Sequence, residues 1–131
     1  MSDYKKLRVW RKAHALALNA HRMASGIRGR QNASFRSQIV RAAMSIPTNI
    51  VEGREQRSDA SFGRFLRIAL GSATELDYHL MAARDLGAIS KADYAALRTD
   101  VVEVRMLLQG LIRRVDSAQA KARELQRSVP K

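Results

Sequence analysis

The sequence predicts an all-α chain folded as an antiparallel, up-down-up-down four-helix bundle. Three observations point to helices. The apolar residues lean on Ala and Leu, which lose little rotamer freedom in a helix, and only 5% of residues are aromatic. Apolar positions recur at steps of three and four along four segments. Those segments are separated by short runs rich in Gly, Ser, Asn and Asp, and short connections place successive helices side by side. A chain of 131 residues supports one such domain, taken here as residues 1–131.

The first helix is expected over 4–27, with Leu7, Trp10, Ala13, Ala17, Ala20, Ala24 and Ile27 on one stripe that Leu16 and Met23 widen. Gly26 and Gly29 end it, and Asn32 and Ser34 open the next. A second helix over 35–55 presents Phe35, Ile39, Ala42, Ala43, Ile46 and Ile50. Ser58 or Asp59 caps a third over 59–86, which carries Phe62, Leu66, Ala69, Ala73, Leu76, Leu80 and Ala83 before Gly87. Ser90 and Asp93 start a fourth over 91–128. From Tyr94 through Leu97, Val101, Val104, Leu108, Leu111 and Val115 to Ala118, Ala122, Leu125 and Val129 its stripe keeps a coiled-coil-like period. The stretch after 116 offers mostly Ala there, so it is expected to fray or to pack on another subunit.

Pro47 interrupts the second helix, removing a hydrogen bond to the Ala43 carbonyl and pressing its ring on that group, at about 3 kcal/mol. Because the apolar face stays in phase through Ile50, a kinked but continuous helix is expected. The alternative is a helix that stops at Ile46 and restarts with Pro47 in its first turn. Ser45, Thr48 and Asn49 stand ready to bond freed backbone groups, and Asn49 and Glu52 share a face beside the proline. Gly53 is read as the residue that lets the chain turn.

The formal net charge is +12. Twelve basic residues stand against three acidic ones in 1–57, and twelve against nine in 58–131. Such asymmetry points to an anionic partner, most often nucleic acid. Lys5, Lys6, Arg8, Arg11 and Lys12 at the start of helix 1, with Arg54 and Arg57 at the end of helix 2, fall at one end of an up-down bundle and form the expected binding patch. Phosphate contact by counterion release fits it better than base stacking, since only Tyr4 and Trp10 are at hand.

No catalytic or metal constellation stands out, so the chain is expected to be non-enzymatic and free of cofactors. His14 and His21 are two turns apart, and His14, one turn after Trp10, is expected to be buried or interfacial. Glu75, Asp77 and His79 lack the second Glu-x-x-His pair of a di-metal bundle. There is no cysteine, and no signal-peptide or membrane-spanning pattern, so a cytoplasmic location is expected.

YKKLRVWRKAHALAL, SQIVRAAMSIPTNIVEG and RSDASFGRFLRIALGSATELDYHLMAARDLGAIS together resemble the 23S rRNA intervening-sequence protein family over residues 4 to 115. The likeness is carried by W-x-x-A-H (Trp10 to His14), S-I-P-x-N-I-x-E-G (Ser45 to Gly53) and F-x-R-F-L-x-I-A-L-G-S (Phe62 to Ser72). Val51, the Arg54-Glu55-Gln56 run and Gly63 depart from the usual pattern. The resemblance implies a bacterial protein with a left-handed antiparallel bundle, assembled as a ring-like homopentamer. It also marks Trp10, His14, Pro47, Asn49, Glu52 and Gly53 as a structural signature. A related branch, the accessory variability determinant of diversity-generating retroelements, binds nucleic acid and a reverse transcriptase; by that likeness RNA or DNA, a reverse transcriptase and further copies of the chain are the expected partners.

Overall fold

The computed structural model describes residues 3–129. Among them are four α-helices and no strand: α1 (Arg8–Ser25), α2 (Ala33–Arg54), α3 (Asp59–Asp85) and α4 (Lys91–Ser128), with short 3₁₀ turns at Tyr4–Lys6 and Arg30–Asn32. The arrangement is consistent with a four-helix bundle. Each helix packs on its neighbours in the chain, α1 also meets α4, and the two diagonal pairs make no close backbone approach.

The ends follow local chemistry. The Asp3 carboxylate accepts the Lys5 backbone N–H at 2.9 Å and starts the first 3₁₀ turn, and Leu7, in extended conformation, separates it from α1. The first α-helix therefore begins at Arg8 rather than Tyr4. Ser58 and Ser90 cap α3 and α4, their hydroxyls accepting the N–H of Ser61 at 3.1 Å and of Asp93 at 3.0 Å. Gly87, at φ 77°, ends α3 in the left-handed region, and the Ala88 N–H reaches back to the Ala83 carbonyl at 2.8 Å.

The core fills where the apolar stripes meet. Ala13, Ala17, Ala20 and Ala24 of α1, Ala43 of α2 and Ala69 and Ala73 of α3 are almost wholly buried, and such small residues let helix axes approach closely. Leu16, Ile39, Ile46, Ile50, Leu66, Leu76, Leu80 and Leu108 fill the space between them. Val9 is buried where the stripe reading has Trp10, which is half-buried. In α4 the buried positions are Leu97, Val101, Val104, Leu108, Ile112 and Val115. That spacing averages about 3.6 residues, the period of a straight helix, so the stripe slides from the expected Leu111 to Ile112. Val115 is the last buried residue of α4, and Ala118, Ala122, Leu125 and Val129 are exposed although the helix continues to Ser128.

Pro47 lies buried inside an uninterrupted α2, which excludes a restart at that residue. The Thr48 hydroxyl donates to the Met44 carbonyl at 2.7 Å, and Asn49 Nδ2 donates to the Ser45 carbonyl at 2.8 Å. Both carbonyls lie just after the one the proline frees, so these side chains brace the flanks of the gap. Glu52 is exposed, and its side chain does not join them.

Candidate nucleic-acid interface

Between Asp3 and Glu52 the chain holds ten Lys/Arg residues and not one Asp or Glu. Folding sorts these cations into two groups along the α1–α2 side. Lys5, Lys6, Arg8, Arg11 and Lys12 are exposed at the start of α1. Arg22 lies in the last turn of α1, Arg28 and Arg30 follow in the connection, and Arg36 and Arg41 come early in α2. The eighteen residues of α1 span about 27 Å at 1.5 Å per residue, and with no Lys or Arg from Ala13 to His21 the two groups stand toward opposite ends of the helix.

The expected patch at the start of α1 and the end of α2 is only partly present. The Tyr4–Lys6 turn packs against α2, and Arg11 holds it there, one guanidinium nitrogen donating to the Lys5 and Lys6 carbonyls at 3.2 and 2.9 Å. Arg8 and Lys12 pair with Glu103 of α4 at 3.9 and 3.4 Å, a partner that no local pattern in the sequence announces. Arg54 is half-buried with its guanidinium 5.5 Å from the Phe62 ring centroid. Arg57 is exposed in a depression whose lining also includes Glu55 and Asp59, so that corner carries mixed charge. The sequence reading missed Arg22, Arg28, Arg30, Arg36 and Arg41; the signal was the long absence of acids, not a local cluster of bases. Arg36 has a second role, donating to the Ile27 and Gly29 carbonyls at 3.0 and 2.9 Å and fixing the α1–α2 connection.

The acids gather elsewhere. Asp77 of α3 faces Arg98 and Arg105 of α4 at 3.5 and 3.8 Å, Asp116 pairs with Arg67 at 2.6 Å, and Glu75 lies 3.3 Å from His79. The Arg84 guanidinium is held above its ordinary pKa by its hydrogen bond to Asp85, beyond what partial desolvation takes away. Among the described residues no three His, Asp or Glu side chains converge as a metal site would require. No helix there is long and apolar enough to cross a membrane.

The signature residues have visible roles. Of the two places expected for His14, buried or interfacial, burial is excluded, for His14 is exposed; its ring lies parallel to that of Trp10, centroids 4.9 Å apart and planes 7° apart. Tyr4 also packs on Trp10, edge-to-face with centroids 5.0 Å apart. Gly53 does not turn the chain. It is buried in the last turn of α2, and a Cβ there would stand 2.8 Å from Phe65 Cβ and 3.0 Å from Phe62 Cδ1. Close approach of α2 to α3 requires the glycine. Higher in the same interface the Ser45 and Ser72 hydroxyls bond at 2.7 Å and Asn49 Nδ2 donates to Ser45 Oγ at 3.0 Å, forming the floor of an open polar groove rimmed by Gln38, Arg41 and Glu75.

Four helices around an alanine-rich core, two of them carrying most of an acid-free run of ten cations, define a small basic helical protein. Residues 5–110 match the family described as 23S rRNA-intervening sequence protein, and the chain belongs to that family. Its structure is similar to that of a protein of unknown function from the S23 ribosomal protein family of Bacteroides thetaiotaomicron, with 28% identity and a TM-score of 0.75 over 79% of this chain and 97% of that one. Among curated proteins none matches this chain.

Proposed function

We propose that this chain is a non-enzymatic, cytoplasmic adaptor that binds structured RNA or DNA along α1 and α2. The observation that carries the proposal is the run of ten cations without an acid from Tyr4 to Val51, of which Arg8 and Lys12 pair with Glu103 and Arg41 shares a groove with Glu75. Two cationic groups toward the ends of a helix of about 27 Å stand some eight base-pair steps apart, and phosphates at each would be engaged by counterion release with little reading of bases. The finer architecture belongs to the same proposal: an antiparallel, left-handed, up-down-up-down bundle, bent at Pro47 and assembled as a homopentamer that multiplies the two groups. Contacts of Gly53 with Phe62, of Ser45 with Ser72 and of Gly63 with Val115 support the antiparallel course, and family membership supports the ring. A reverse transcriptase is the proposed protein partner by likeness to the retroelement branch.

Electrophoretic binding to a hairpin RNA tests the reading. Replacing Lys5, Lys6, Arg8, Arg11 and Lys12 by Gln, or separately Arg22, Arg28, Arg30 and Arg41, is expected to weaken binding in each case. Retention of full affinity by both variants would end the proposal. A second reading, a protein–protein assembly module, is favoured by Ile68, Tyr78 and Met81, large apolar side chains exposed on α3. It carries no nucleic-acid role, and predicts that Ile68→Ser and Tyr78→Ser abolish self-association while the native chain fails to bind RNA even at low salt.

A further inference from the structure

The aromatic residues at the start of α1 form an assembly that the cationic groups do not explain. Tyr4, Trp10 and His14 come from two elements, and Arg11 fixes their relation by clamping the Tyr4–Lys6 turn through two carbonyl hydrogen bonds. Trp10 meets Tyr4 edge-to-face and carries the parallel imidazole of His14. His14 is exposed, and it makes no hydrogen bond or ion pair among the described residues. An exposed flat ring backed by an indole, with cations in the turn that carries Tyr4, has the composition by which proteins hold unpaired nucleotides: an aromatic face for the base and positive charge for its backbone. Lys5 and Lys6 supply that charge, both exposed and without a carboxylate partner among the described residues.

We infer that the outer face of His14, backed by Trp10 and Tyr4, is a stacking platform for one unpaired nucleobase whose phosphates are held by Lys5 and Lys6. The inference rests on the nucleic-acid reading above and adds to it a preference for strands or loops with unpaired bases. The rival occupant of an exposed ring is a second copy of the chain.

The test compares a thymidine dodecamer with an abasic strand of equal length and charge, each titrated against the full chain at fixed salt. The dodecamer is expected to bind tighter by about 5- to 150-fold, the value of one stacked base. His14→Ala is expected to remove that difference and leave abasic affinity unchanged, and His14→Phe, which keeps a flat face, to restore it. Equal binding of the two strands by the native chain, or a preference that survives His14→Ala, overturns the platform and leaves phosphate binding standing. Failure of both strands to bind overturns the platform and the nucleic-acid reading together. Sedimentation of His14→Ala completes the test: a fall in oligomer size would assign the ring to contact between copies and overturn the platform.

Discussion

At Gly53 a single hydrogen atom decides how closely two helices pack. The glycine is buried against Phe62 and Phe65, and any Cβ would collide with the root of the Phe65 side chain, which cannot swing away. Gly53→Ala is expected to destabilise the fold by about 1–3 kcal/mol, as overpacking does. Thermal unfolding followed by circular dichroism should then show a fall of roughly 5–15 °C. Gly71 is the internal control, since it lies in the middle of α3 with nothing within 4 Å of its would-be Cβ. Gly71→Ala is expected to stabilise by about 1 kcal/mol through helix propensity. A neutral Gly53→Ala would show that the α2–α3 approach is looser than described. The sequence marks the glycine but misassigns it: next to a polar run it reads as a turn, because contact with a helix that has not yet begun leaves no trace in local spacing.

Among the elements, α4 divides at Val115. Up to that residue its stripe is covered by the other helices, and from Ala120 onward every described residue is exposed. Leu76→Ala, at a wholly buried α3 position, is expected to cost about 2–5 kcal/mol, whereas Leu125→Ala should stay within about 0.5 kcal/mol. Amide hydrogen exchange should locate the boundary independently, with strong protection from Leu97 to Val115 and rapid exchange beyond Ala120. Protection running evenly to Ser128 would mean that a partner covers the overhang. Helix existence and the buried faces of α2 and α3 were legible in the sequence, since periodicity carries both. The slide of the α4 stripe was not, because steps of three and four fit periods of 3.5 and 3.6 equally well over a few turns. Leu7 hid the true start of α1 for a related reason: an apolar residue in phase with a helix does not reveal its extended backbone.

For the molecule as a whole, charge is the property most at odds with a purely structural role. The sequence disclosed its sign and its concentration in one half. It could not disclose which cations are answered across the fold, as Arg8 and Lys12 are by Glu103, or that Arg54 leans on Phe62. What remains are two separated groups of bases, legible afterwards as forty-eight residues without an acid. The most direct test is the affinity of the native chain for a hairpin RNA measured across a salt series. Cations engaging five or more phosphates predict a straight line of log affinity against log salt with a slope of about −4 or steeper. Absence of binding at low salt, or a slope near zero, would contradict it.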